Sequence, residues 1–372
     1  MTFFGRPLLE PSKTGMSRTH ALAASDNGEL LYNHIRLPAQ WPPETMDPGS
    51  YEPVPVPYLQ SPPDIIPIDT GRQLFVDDFL IENSSLQRNF HKARKIDSSP
   101  VFQPETPLEM GEEGLPVACP KDGGICWDPQ DNIFKMWYEA AWIGTMAYAT
   151  SRDGFHWHRP DREAFIPASR IENDWDRGYV QSVGGICTIV GDQLRFYYTG
   201  FRGDPENLHP EGMKSGMYAH GSTGMAVLRR DGFVSVTSGE TAGRFTTRPV
   251  IFTGNRLFVN VDCPEGELRV EILKENHSVI STFSAEHCNP VTTDRTIYPV
   301  SWNGNHDLSA LAGRKVRFRF YLKKGDIYAF WVSPDQGGAS YGFTAAGGPG
   351  FKSAVDDAGE KAYKVAASFP VL

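Results

Sequence analysis

The alternation of apolar and polar positions is densest between Gly123 and Arg159, GGICWDPQDNIFKMWYEAAWIGTMAYATSRDGFHWHR. A short apolar run, Gly124 to Trp127, is closed by Asp128-Pro129, and Gln130 to Asn132 form a polar turn. Phe134, Met136 and Tyr138 then alternate with Lys135 and Trp137 at the two-residue period of a strand. Met146 to Ser151 supplies a third strand, Asp153-Gly154 a turn that accepts positive φ, and Phe155 to His158 a fourth strand. This predicts one small up-and-down sheet. The pattern returns downstream, where GGICTIVGDQLRFYYTGFRG from Gly184 repeats the opening and MAVLRRDGFVSV from Met225 repeats the ending. A four-stranded sheet repeated along a chain predicts the blades of a β-propeller. A β-sandwich with similar hairpins is the alternative.

Elsewhere the pattern changes three times. Residues 1–67 carry no sustained period, and ten prolines between Pro38 and Pro67 predict an extended arm that drapes over the globular part or stays disordered. From Arg72, RQLFVDDFLIENSSLQRNFHKARK reads as two strands around a turn at Asn83 to Ser85, a partial blade. From Thr246 to Pro334 the strands lengthen, as in RLFVNVDC, ELRVEILKEN and KVRFRFYLKKG, which predicts a two-sheet sandwich of jelly-roll type. The organisation expected is therefore an arm at 1–67, a propeller-like domain at 68–245, a β-sandwich at 246–336 and a Gly-rich irregular tail at 337–372.

Composition narrows the function classes. A chain of 372 residues, 40% hydrophobic, can bury a substantial core in two domains. A net charge of -9 argues against nucleic-acid or anionic-membrane partners, because no basic excess exists to neutralise phosphates. The one basic cluster, Arg314 to Phe320, alternates and predicts a strand with a charged, solvated face. Five scattered cysteines without CxxC spacing suggest neither disulfides nor zinc, and Cys126 and Cys187, equivalent in the repeat, are expected as buried thiols. No cofactor is expected. The start lacks an apolar core segment and no membrane-length apolar run occurs, so the expectation is a cytoplasmic protein, or a secreted one if a leader has been lost.

The phrases QLFVDDFLIE, FKMWY, AYATSRDGFHW and RFYYTGFRG, followed by sandwich-like strands, resemble the five-bladed propeller glycoside hydrolases of families 32, 43 and 68 over roughly Arg72 to Asp335. The resemblance implies a carbohydrate substrate held in a funnel on the propeller axis, where three carboxylates act as base or nucleophile, acid and stabiliser. The family 32 signatures Trp-Met-Asn-Asp-Pro-Asn, Arg-Asp-Pro and Glu-Cys are absent, so no catalytic residue transfers by motif. Two full blades and a partial one fit between Arg72 and Val236, which leaves a five-bladed ring incomplete at about forty residues per blade.

Glycosidases need two carboxyl groups facing each other across the scissile bond. By analogy with family 43, Asp78, before a short apolar strand, is the first candidate for base or nucleophile; its alternative is an Asp engaged in turn chemistry with Asp77. Asp122 precedes GGIC, where two glycines let a sugar approach the backbone, and an Asp-Gly turn is its alternative. Asp176 is expected as a stabiliser held ionised by the adjacent Arg177, with a plain surface ion pair as the alternative. Glu139, beside Trp137 and Trp142, is the reserve general acid. Trp127, Trp142, Trp157 and Trp175 are candidate sugar-stacking surfaces or inter-blade core. Two readings follow: a glycoside hydrolase acting through axial carboxylates, or a noncatalytic carbohydrate-binding or scaffold relative.

Overall fold

A computed structural model describes residues 28–39, 56–105, 110, 117–119, 125–129, 132–136, 164–181, 186–203 and 219–368. The chain is nearly all β, with 41% strand against 7% helix, as the alternating pattern predicts. Among the described residues no helix is long and apolar enough to cross a membrane.

The first sheet has six strands: Ile66–Pro67, Val250–Ile251, Val316–Lys323, Gly243–Thr247 and Ile81–Ser84 in that order, with Glu267–Lys274 also against Val316–Lys323. The second, also six-stranded, runs Asp294–Pro299, Arg256–Asp262, Gly325–Ser333, Val234–Ser238 and Gln87–Phe90, with Gln73–Leu74 also against Gly325–Ser333. Their side chains share one hydrophobic cluster. Phe318 and Phe320 of the first sheet meet Phe330 of the second at 5.7 and 5.2 Å between ring centroids, all three rings buried. Each such ring contributes about 1.5–3 kcal/mol by leaving water. On the opposite face of Val316–Lys323 the arginines are not simply solvated: Arg317 pairs with Glu82 at 2.6 Å and Arg319 with Glu271 at 2.9 Å. That corrects the charged, solvated face expected there, since each guanidinium has found a carboxylate within the same sheet.

The third sheet orders Arg94–Lys95, Gly221–Arg229, Gln193–Phe201 and Tyr179–Gln181, with Thr188–Val190 also against Gln193–Phe201. A separate hairpin joins Ile125–Asp128 to Ile133–Met136, turning at Asn132 with φ 55°. The two GGIC repeats thus both begin as hairpins, Thr188–Val190 with Gln193–Phe201 being the counterpart of the first. Main-chain bonds from the tail tie them together. Trp127 N–H donates to Ala346 O at 2.9 Å, Ala346 N–H to Cys187 O at 3.1 Å, and Ile189 N–H to Gly347 O at 2.8 Å. The strands expected at Met146 to Ser151 and Phe155 to His158 lie outside the described residues.

Connectivity departs from the expected blades in two places. The segment Arg72 to Lys95 is divided among all three sheets instead of forming one partial blade. Its strands are two to four residues long, and the rings between them, Phe75 and Phe79, are buried in the shared cluster. In the second repeat, Gly221–Arg229 stays with its hairpin, but Val234–Ser238 crosses to the second sheet. The corner is made by Arg230, which is buried, and by Asp231, whose φ of 57° is what the Asp-Gly dipeptide predicts and whose carboxylate accepts Arg72 at 3.0 Å. The boundary expected between residues 245 and 246 falls inside the strand Gly243–Thr247. Part of the arm also belongs to the core: Ile35, Tyr58 and Ile66 are buried there, and Ile66–Pro67 runs parallel to Val250–Ile251 at a sheet edge. Ile66 and Ile68 donate the pairing bonds, so the missing N–H of Pro67 costs nothing. The tail is irregular and Gly-rich apart from the helix Glu360–Ala366.

All five cysteines are free, with Cys187 buried and Cys126 half-buried. Burial, with help from the charge of Asp231, pushes the Cys187 thiol up to about 12, so it is protonated and unreactive at neutral pH.

Candidate functional site

Of the sequence candidates among the described residues, Asp176 is the one built into a cluster. Its loop is held by local bonds: the Ser169 hydroxyl accepts Ile171 N–H at 3.1 Å and donates to Asp174, and Arg177 N–H donates to Asp174 O at 3.2 Å. Gly178 N–H then donates to Phe201 O at 2.8 Å, which lays the loop across the third sheet. It crosses at Gly200 and Gly224, where a Cβ would overlap the Trp175 ring and, respectively, Asp176 or the Tyr198 ring. Two glycines placed diagonally on neighbouring strands are therefore what let Trp175 and Asp176 reach the sheet.

The cation on Asp176 is Lys95, whose ammonium donates to Oδ2; the Tyr198 hydroxyl donates to the same oxygen at 3.2 Å. This corrects the expected pairing with Arg177, which is exposed beside the buried carboxylate. Lys95 comes from the outer strand, where Ala226 faces Lys95 and Val227 faces Arg94, so alternate side chains of this strand serve opposite faces of the sheet. Burial, then the charge of Asp176 and its hydrogen bond, push the Tyr198 hydroxyl far above the usual phenol range. Tyr198 is thus a permanent donor. The Asp176 side chain is 3% exposed and that of Lys95 27%, so Lys95 is the member of the pair that solvent reaches. Half-buried Trp175 lies 5.6 Å from the Tyr198 ring. The cluster brings together a buried carboxylate that accepts two donors, a partly exposed lysine and a half-buried indole.

The other candidates lie elsewhere. Asp78 is 70% exposed and receives Arg88 Nη2 at 2.5 Å, on the connection between the second and first sheets. The turn chemistry beside it belongs to Asp77, which is buried and accepts Phe79 N–H at 3.0 Å. Asp78 and Asp176 therefore sit on different bodies of sheet and share no partner among the described residues. Trp127 is 7% exposed, edge-on to Phe134 at 4.9 Å and close to Gly347, so it packs the hairpin instead of presenting a ring for stacking. Asp122, Glu139 and Trp142 lie outside the described residues. No cluster of three or more metal-ligating side chains occurs among the described residues.

Sequence reasoning passed over Lys95 and Tyr198. The alternation Ala93, Lys95 against Arg94, Ile96 was the available signal for Lys95, because it marks a two-faced strand with a cation on each face. Comparison of the chain with family models, with curated proteins and with solved structures gave no match.

Proposed function

We propose that this chain is a noncatalytic carbohydrate-binding relative of the five-bladed propeller glycoside hydrolases. In this reading the third sheet is a blade of an incomplete propeller. The two six-stranded sheets are its β-sandwich, made of residues 246–336 with strands from 66–90 and 234–245.

The observation that carries the reading is the group of Asp176, Lys95, Tyr198 and Trp175. Hydrolysis requires two carboxyl groups roughly 5–9.5 Å apart, one of them holding a proton for the leaving group. Of the candidate carboxylates among the described residues, Asp176 Oδ2 already accepts from two donors, and Asp78 is turned to Arg88 in solvent. Binding asks for less: a ring against which a pyranose face rests, and hydrogen-bonding groups at its edge.

The test is a glycan screen by calorimetry on the full chain, with release of reducing ends followed in parallel. Binding without turnover, weakened at least about tenfold in Trp175→Ala, is the expected result. Turnover abolished by Asp176→Asn would replace the binding reading with the hydrolase one. Absence of binding to any glycan would remove both.

A further inference from the structure

Where the second and third sheets diverge at the Asp231-Gly232 corner, a groove of about 390 Å³ opens, within the size range of ligand sites. Its walls carry Lys92, Arg94 and Arg229 against one carboxylate, Asp192. The two arginines differ in their commitments. Arg229 is fully engaged: Nε donates to Asn260 at 2.8 Å, Nη1 to Asp294 at 2.5 Å and Nη2 to Val261 O at 2.9 Å, with the guanidinium 4.7 Å from the Tyr328 ring centroid. It shapes the wall, and its charge is offset by Asp294. Arg94 makes one weak bond, Nη1 to Lys95 O at 3.5 Å, and has no carboxylate partner among the described residues. Most of its planar fork is therefore left to grip an anion in two-point fashion. The acid behind His91, Asp326, is turned to Ser235 and Thr237.

We propose that this groove binds the anionic group of a charged saccharide, a carboxylate or a sulfate ester, with Arg94 as the bidentate anchor. The proposal rests on the carbohydrate-binding reading and supplies its ligand class. It also makes one short strand serve two sites, because Lys95 points to Asp176 while Arg94 points to the opposite face.

The experiment measures affinity for three tetrasaccharides of equal length, one uronate, one sulfated and one neutral, and for inorganic sulfate. The expected result is preference for a charged ligand, lost by at least about tenfold in Arg94→Gln, partly kept in Arg94→Lys, and weakened as salt rises from about 50 to about 500 mM. Neutral-ligand affinity stays unchanged in Arg94→Gln and falls in Trp175→Ala. The stronger of the two charged ligands identifies the anion. Equal affinity for charged and neutral ligands, or equal losses for both in Arg94→Gln, overturns the proposal. Sulfate bound through Arg94 with no saccharide bound at all would uphold the anion site and refute the carbohydrate reading.

Discussion

Asp176 and Asp356 are both buried and each meets a cation, but the two pairs are enclosed differently. Lys95 leaves 27% of its side chain in solvent, whereas Arg230 keeps 3% and Asp356 2%. Arg230 Nη2 reaches Asp356 at 2.9 Å, Ser340 donates to the same oxygen at 3.0 Å, and Gly359 N–H donates to the other at 2.9 Å. The guanidinium lies 5.4 Å from the ring centroids of both Phe351 and Tyr363. Its Nε and Nη1 make no hydrogen bond among the described residues, Nε lying 3.8 Å from Asp231, so enclosure here is costly and is accepted for attachment. The Asp356 pair fastens the tail to the corner where the second and third sheets part. What separates the two pairs is the exposure of the cation's side chain, not the burial of the acid.

The largest effect expected is on the enclosed pair. Asp356→Ala removes the hydrogen-bonded carboxylate of buried Arg230, leaving Asp231 at 3.8 Å from Nε, and should cost about 3–5 kcal/mol in urea unfolding. A loss below about 1 kcal/mol would mean that solvent reaches Arg230 and that the contrast fails. Next comes the surface under Trp175. Gly224→Ala places a methyl group against Tyr198 and Trp175, with a cost of about 1–3 kcal/mol and a shifted tryptophan emission. Unchanged emission would show that the loop rests on the sheet less closely than the geometry requires.

Asp356 and, outside the two pairs, His91 together predict a two-stage dependence of stability on pH. Burial raises the Asp356 carboxyl, but Arg230 and Arg72 outweigh it and hold the group below the usual carboxylate range. Its contribution is complete above about pH 4 and is lost as pH falls through the depressed value. His91 is also depressed, by burial first, with Asp326 opposing and Arg229 assisting. The unfolded chain therefore takes that proton first, and stability begins to fall below about pH 6.5. Chemical denaturation across pH should show both declines, and His91→Gln should remove the upper one alone. The smallest effect belongs to the exposed pair: Asp78→Asn should change stability by no more than about 0.5 kcal/mol, because Arg88 keeps its bond to Phe75 O at 2.7 Å. A larger loss would show the carboxylate doing more than its exposure allows.

How far the sequence could be read depended on whether a signal was local. The hairpins at Ile125–Asp128 and Thr188–Val190 were visible because apolar alternation, a polar turn and a repeat coincide within about twenty residues. The division of Arg72 to Lys95 among three sheets was not, since strands of two to four residues carry too few alternations to name a partner. Asp176 stood out as an acid before a strand. Its cation did not, because Lys95 lies 81 residues earlier and is brought in only by pairing with Gly221–Arg229. Asp78 had the right neighbours in sequence, but Arg88 claims it.

The bonds from Ala346 and Gly347 to the two hairpins set a schedule for synthesis. The first hairpin is made roughly 220 residues before the segment that ties it, an interval of about 10–40 s at about 5–20 residues per second. Through that interval its main-chain edge at Trp127 waits for its acceptor, as the edge at Ile189 does for a shorter time. On a polysome carrying several copies, each waiting edge is a template for the next nascent chain, so crowded translation is the condition under which this protein is most exposed to mispairing.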